Sequence, residues 1–160
     1  MLLKKIVTGG QTGVDRGALD AALEAGFPCG GWAPEGRTAE DGPLHERYPL
    51  RELAGAGYEA RTLQNVLDSD GTAILYSGTL EGGTRQTMVH CVEHGKPLEL
   101  IDAARTGPRD AALKLAAFIE RNRLSILNIA GPRASKWRAG HQYAHATVKY
   151  LLQEPLAGNT

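Results

Sequence analysis

The chain has 160 residues, and its 18 Lys and Arg balance 18 Asp and Glu, so the formal net charge is zero. This length predicts one domain, which we place at residues 1–154, ahead of a flexible tail at 155–160. A zero net charge disfavours a nucleic-acid partner, since DNA and RNA binders normally carry a basic surplus. No apolar stretch is long enough to cross a membrane, no signal-peptide pattern follows Met1, and Cys29 and Cys91 lie in apolar segments. We therefore expect a cytoplasmic protein with two reduced thiols.

The predicted elements alternate between short apolar strands and amphipathic helices. We place strands near Lys4–Thr8, Pro28–Trp32, Thr72–Tyr76, Pro97–Ile101 and Ser125–Ile129, and helices near Val14–Ala25, Arg61–Asp68, Gly83–His94, Pro108–Arg121 and Gly140–Leu152. This alternation predicts an α/β fold, a single doubly wound, Rossmann-like domain with five mainly parallel strands and helices on both faces. Ligands of such sheets bind beyond the carboxyl ends of the strands, where the strand order reverses. With the order 2-1-3-4-5, the first and third strands would be neighbours at that point.

A glycine-rich loop connects the first strand to the first helix. It consists of Gly9, Gly10, Gln11, Thr12 and Gly13, and Asp15 and Arg16 follow it. Glycines let the backbone approach a ligand closely, and the free amides at a helix start attract anions. We expect this loop to bind a phosphate, with Asp15 accepting amide hydrogen bonds at the helix start. A purely structural tight turn is the alternative, because the spacing matches neither the dinucleotide fingerprint nor the phosphate loop with Gly-Lys-Ser/Thr.

Two further loops follow later strands. After the third strand we expect ligand contacts from Ser77, Gly82, Gly83, Thr84 and Thr87, and after the fifth strand from Gly131 and Arg133. The first and second glycine loops would then face one crevice, whereas the fifth strand could lie too far out. Arg16, Arg37 and Arg133 are candidate countercharges, since the guanidinium fork suits phosphate.

The segment 33–58 is rich in proline, glycine and charged residues, which excludes a regular helix or strand. A loop of this length inside a domain is typically functional or disordered. Apolar anchors at Tyr48, Leu50 and Tyr58 favour an ordered segment, and we expect it to cover the ligand.

Signals for catalysis or metal binding are weak. His90 and His94, like His141 and His145, are four residues apart on helices, but neither pair has the Glu of a zinc-protease motif. We expect packed or solvated histidines and no metal site. Ser77 lacks the surroundings of a nucleophile elbow, so no catalytic residue is assigned. The acidic residues Glu40, Asp41 and Glu46 are expected to be solvated rather than to hold a cation.

Several motifs in order along the chain resemble one family, known as the "putative molybdenum carrier" family. They are Gly-Gly-Gln-Thr-Gly-Val-Asp-Arg at 9–16, Gly-Gly-Trp at 30–32, Ala-Glu-Asp-Gly-Pro at 39–43, Arg-Tyr-Pro-Leu at 47–50, Arg-Thr with Asn-Val and Asp-Ser-Asp at 61–70, Gly-Gly-Thr at 82–84 and Leu-Asn-Ile-Ala-Gly-Pro-Arg at 127–133. The family is a branch of a Rossmann-like superfamily that includes Lonely Guy proteins and DNA-processing protein A. The resemblance implies binding of molybdenum cofactor (molybdopterin), a phosphorylated pterin. Residues Lys136-Trp137-Arg138 depart from the family, where a shorter proline-glycine turn is expected.

The wider superfamily implies two other activities. Lonely Guy enzymes use a Pro-Gly-Gly-x-Gly-Thr-x-x-Glu motif to release a base from a nucleotide, and the stretch Glu81–Thr87 lacks its second Gly-Thr and its glutamate. DNA-processing protein A has a loop similar to Gly10–Asp15, but a zero net charge disfavours its single-stranded DNA role.

We therefore expect a protein that binds or carries a small phosphorylated ligand, either molybdopterin or a nucleotide-like molecule, without clear catalytic machinery. The alternative is a nucleotide phosphoribohydrolase that cleaves an N-glycosidic bond. A third possibility is a domain with a vestigial pocket that acts through association. We expect a homo-oligomer, a dimer or a tetramer, because two-fold assemblies are the commonest.

Overall fold

The structure, a computed structural model, describes residues 2–153; the tail predicted at 155–160 lies outside them. The strands are β1 (Lys5–Val7), β2 (Cys29–Gly30), β3 (Trp32–Ala33), β4 (Thr38–Ala39), β5 (Gly42–Pro43), β6 (Arg51–Glu52), β7 (Gly71–Tyr76), β8 (Leu98–Asp102) and β9 (Ile126–Ala130). The helices are α1 (Val14–Glu24), α2 (Tyr58–Asp68), α3 (Gly82–Glu93), α4 (Pro108–Asn122) and α5 (Gly140–Gln153), with a single 3₁₀ turn at Glu35–Arg37. Strands and helices alternate as predicted, and the α/β fold class is confirmed.

The central sheet has five parallel strands in the order β2-β1-β9-β7-β8. The predicted order was wrong, because β9 lies between β1 and β7 instead of at an edge. Burial gives the physical reason: Leu127 and Ile129 of β9 are completely buried, whereas β8 contains Glu99 and leaves Leu100 39% exposed. A central parallel strand must be covered on both faces, so the more apolar strand takes that place.

The pairing register brings three strand ends together. Asn128 of β9 lies opposite Val7 of β1 on one side and Thr72 of β7 on the other. Because these three neighbouring strands are parallel, the carboxyl ends of β1, β9 and β7 lie side by side at the same end of the sheet. The chain leaves each of these ends through a loop that leads to a helix.

The segment 33–58 is ordered through its own small core. Leu44, Tyr48 and Leu50 are buried against Leu19 of α1. Tyr58 is 44% exposed and begins α2, three residues before the predicted helix start. Two apolar anchors of the segment, Tyr48 and Leu50, are thus buried.

The two cysteines are free, Cys29 half-buried on β2 and Cys91 buried on α3. Burial raises the pKa of both thiols. None of the helices in the described range 2–153 is both long and apolar enough to cross a membrane.

Candidate functional site

A cavity of about 930 Å³ opens at the carboxyl ends of β1, β9 and β7. Its walls come from the β1 loop (residues 8–13), the first turns of α2, the β7 loop (residues 77–81) with the start of α3, and the β9 loop (residues 131–139). Ten of the sequence-predicted residues line it: Gly9, Gln11, Asp15, Ser77, Gly82, Gly83, Thr84, Thr87, Gly131 and Arg133. This is the region where α/β sheets bind ligands.

Several amides of the β1 loop and of the start of α1 are occupied by acceptors from the protein itself. Gln11 N donates to Asp15 Oδ2 (3.2 Å), and Thr12 N donates to the Gln11 side-chain oxygen (3.0 Å). The first amide of α1, Val14 N, donates to the carbonyl of Pro132 (3.3 Å). The Asp15 carboxylate therefore takes the place at the start of α1 that an external anion would otherwise fill.

Asp15 is a buried acid in the cavity wall, with 7% of its surface exposed. Burial raises the pKa of its carboxyl to about 6, against the opposing effects of the Arg61 charge and the Gln11 amide. This carboxyl therefore changes its charge close to neutral pH.

Arg61 of α2 is a buried basic residue that lines the same cavity, with 6% of its surface exposed. Its guanidinium donates Nη1–H to the carbonyl of Gly9 and Nε–H to the carbonyl of Tyr58 (3.4 Å). Burial lowers the pKa of Arg61, and the negative charge of Asp15 opposes that effect. The pair places one positive and one negative group in the wall of the cavity.

The start of α3 differs from that of α1 because its amides have no acceptor. No described residue accepts a hydrogen bond from the amides of Gly82, Gly83 or Thr84. A Cβ atom added at either glycine would meet nothing within 4 Å, so the backbone is open to the cavity. Thr84 is nevertheless 8% exposed, and its hydroxyl also has no hydrogen-bond partner within residues 2–153. The second glycine loop is thus the open anion cradle.

The β9 loop is fixed to the sheet by close backbone contacts. A Cβ at Gly131 would lie 2.3 Å from the carbonyl oxygen of Leu75, and one at Gly13 would lie 2.5 Å from that of Pro132. Only glycine permits these approaches. From this base the loop brings Arg133, together with Lys136 and Trp137, to the cavity. The possibility that the fifth strand lies too far out is therefore excluded.

Known proteins share the architecture of this chain. The model of the circularly permutated YpsA SLOG family matches residues 6–152. The chain belongs to this family. A crystal structure described as "Putative molybdenum carrier protein" from Syntrophus aciditrophicus SB has 42% sequence identity and a TM-score of 0.91, and the match covers 94% of this chain and 96% of that one. No curated protein gives a significant match. The predicted family resemblance is confirmed.

Five predicted site residues of this SLOG protein lie outside the cavity wall: Gly10, Thr12, Gly13, Arg16 and Arg37. The two arginines are not available as countercharges there, because their guanidinium groups are engaged elsewhere. Arg16 makes a two-point contact with Asp41 (2.6 and 3.1 Å), and Arg37 donates to the carbonyls of His45 and Tyr48 (3.0 Å each) and Leu50.

The expected cover over the cavity is not found. None of residues 33–57 lines it, and the segment instead packs on the outer side of the β1 and β9 loops. The acidic pair Glu40 and Asp41 contacts those loops and α1, so neither is simply solvated. Arg16 holds the pKa of Asp41 below its usual range.

The histidine pair of α5 faces α1 and not the ligand cavity of this SLOG fold. His141 Nε2 lies 2.7 Å from Asp20 Oδ2, and His145 Nε2 lies 2.8 Å from Glu24 Oε2. Among residues 2–153, no group of three potential metal ligands is close enough to hold an ion. The pair joins two helices.

Three buried polar residues of the cavity wall were missed from the sequence: Arg61, Asn65 and Asn128. The two asparagines are each 3% exposed, and Asn65 bonds to the backbone of Trp32 through both side-chain ends (2.8 and 3.1 Å). Their helical spacing could have indicated the two residues of α2, because Arg61 and Asn65 share one face of this helix with the buried Val66.

Proposed function

We propose that this SLOG family member binds a small phosphorylated ligand in the cavity, with a phosphate at the start of α3. The observation that carries the proposal is the set of unoccupied amides at Gly82, Gly83 and Thr84, beside an open cavity. Amides at a helix start donate to phosphate oxygens, and the helix dipole adds a favourable field.

The charges of the wall suit a ligand with one anionic end and a polar body. Arg61, Arg133 and Lys136 supply positive charge, and Asp15, Glu59 and Glu81 supply negative charge. A volume of about 930 Å³ holds a molecule of nucleotide size. Trp137 and Tyr58 offer aromatic surfaces to a planar ring.

Molybdopterin, a phosphorylated pterin, is the ligand we propose first, and a nucleotide is the second. The support for molybdopterin is the description of the Syntrophus aciditrophicus relative as a molybdenum carrier. The role is then holding and delivery rather than turnover. A cytoplasmic dimer or tetramer stays a prediction, which light scattering and cell fractionation test.

Equilibrium titration with molybdopterin, AMP and GMP tests binding, and Gly83→Ala tests the cradle. Alanine fits the space at Gly83, so the fold is retained, but its methyl group blocks the approach of phosphate to the amides. We expect saturable binding by the wild type and an affinity about tenfold lower in the variant. Gly107→Ala is the matched control, since Gly107 precedes α4 and also has open space around its Cβ position. No saturable binding of any of the three, or equal affinity of Gly83→Ala, would contradict the proposal.

A nucleotide hydrolase is the second candidate, and the Asp15 carboxyl favours it. An acid in the cavity wall with a pKa of about 6 is suited to proton transfer near neutral pH. Incubation with AMP and GMP should then release free base, and Asp15→Asn should abolish the release. Absence of free base with a binding-competent protein excludes this candidate.

A further inference from the structure

Glu40 lies outside the cavity and bonds to two of the loops that form its walls. Glu40 Oε1 accepts hydrogen bonds from the Thr12 hydroxyl and from Ser135 N (3.1 Å), and Oε2 accepts one from Ser135 Oγ (2.6 Å). Oε2 also lies 3.5 Å from Arg133 Nε. Thr12 belongs to the β1 loop, whereas Ser135 and Arg133 belong to the β9 loop. One carboxylate therefore joins both loops.

The β4–β5 hairpin that carries Glu40 is held by other contacts. Its Asp41 makes the two-point contact with Arg16 of α1, and Arg37 donates to carbonyls further along the same segment. Leu44, just after the hairpin, is 7% exposed. Because the hairpin is anchored in this way, the hydrogen bonds of Glu40 restrain the β9 loop more than its own segment.

The β9 loop is fixed at Gly131 and Pro132 and again at Trp137, which packs against Tyr143, and the residues between them have fewer restraints. Lys136 N and Trp137 N bond to the carbonyl of Arg133 inside the turn. In the described part of the chain, the hydrogen bonds that run from residues 133–136 to other segments end on Thr12 or Glu40, including Ala134 N to Thr12 Oγ1 (3.0 Å). Arg133 and Lys136, which line the cavity, lie in this turn.

We infer that Glu40 is a positioning residue that holds the β9 loop so that Arg133 and Lys136 face the bound ligand. The inference rests on the proposed function of the cavity. Its chemistry is specific, since a carboxylate accepts hydrogen bonds from hydroxyl and amide donors and attracts the guanidinium at once. The hydrogen bonds from Ser135 and Thr12 also hold the pKa of Glu40 below its usual range.

Two readouts on Glu40→Ala and Glu40→Gln test the inference. Hydrogen exchange of the peptide 133–137 reports the loop without any ligand, and titration with GMP reports the site. We expect Glu40→Ala to speed exchange and to weaken GMP binding, each about tenfold, and Glu40→Gln, which keeps one acceptor oxygen, to do so less. Glu46→Gln is the matched control, because Glu46 lies in the same segment and is exposed. Circular dichroism verifies that each variant is folded.

A background that combines Arg133→Ala with Lys136→Ala separates positioning from general stability. If Glu40 acts through these two residues, Glu40→Gln lowers GMP affinity several-fold in the wild type and little in that background. An equal loss in both backgrounds overturns the inference, as does unchanged exchange of 133–137 in Glu40→Ala. Failure of the wild type to bind GMP instead counts against a nucleotide ligand, and the exchange result then decides the role of Glu40 alone.

Discussion

Replacing Asp15 by Asn should change how the stability of the protein depends on pH. The carboxyl is buried at the start of α1, and burial raises its pKa from the ordinary 3.8 to about 6. The folded state thus holds the proton more tightly than the unfolded state. Stability therefore falls as the pH rises from about 4 to about 6, where the unfolded chain has already released the proton.

The magnitude follows from the two pKa values. A rise from 3.8 to about 6, at about 1.4 kcal/mol for each pKa unit, corresponds to about 3 kcal/mol of unfolding free energy. Asn keeps an oxygen that can accept the Gln11 amide but has no charge to desolvate. Because the unfolded carboxyl is already more than half ionised at pH 4, we expect the stability of Asp15→Asn relative to the wild type to increase by about 2 kcal/mol between pH 4 and pH 7.

Urea unfolding at pH 4, 5, 6 and 7, followed by the fluorescence of Trp32 and Trp137, measures this difference. Subtracting the wild-type curve from that of the variant removes the contribution of all other titrating groups. Asp110→Asn controls for the loss of an aspartate in the first turn of a helix, because Asp110 is exposed at the start of α4. A difference that stays constant from pH 4 to pH 7 would refute the assigned effect of burial.

Three further substitutions test other parts of the site. Gly131→Ala should lower the unfolding free energy by about 1–3 kcal/mol in urea titrations, since its Cβ would lie 2.3 Å from a backbone oxygen of β7; no change would contradict the close approach. Arg61→Gln removes the charge that lowers the pKa of Asp15, so the pH transition assigned to Asp15 should move to higher pH; the same urea series detects this, and an unmoved transition would show that the two groups do not interact. Asp102→Ala removes the acceptor of the Gly78 amide (2.9 Å), so hydrogen exchange of this amide, followed by NMR, should become faster while exchange of the α5 amides does not change. An unchanged exchange rate of the Gly78 amide would contradict the anchoring of the β7 loop.

The sequence supported the element pattern but not the strand order. Hydrophobic runs and glycine stops are local signals, and they placed all five sheet strands and all five helices. Strand order depends on which strand the tertiary fold buries most. In the sequence, this was indicated by the apolar Leu127 and Ile129 of β9 and by the charged Glu99 of β8. Hydrophobic periodicity identifies the strands but does not predict which of them lies at the centre of the sheet.

The two glycine loops looked equivalent in the sequence and differ in the structure. A glycine spacing reports that the backbone is accessible, but not whether another group of the same chain already occupies it. Asp15 occupies the first loop, whereas nothing in the described residues occupies Gly82 and Gly83. Arg61 was not predicted as a site residue because an arginine in a helix is normally expected at the surface.

The central place of β9 has a consequence for how the protein is made. The ribosome synthesises β1 and β2 first and then β7 and β8. In the sheet these two strand pairs are joined through β9, which is synthesised last of the five. Until then the sheet lacks the strand that joins its two halves, and a two-stranded sheet is at best marginally stable by itself. The cavity, whose walls belong to both strand pairs, therefore forms only when Ile126–Ala130 inserts between them, so assembly of the site is a late event in folding.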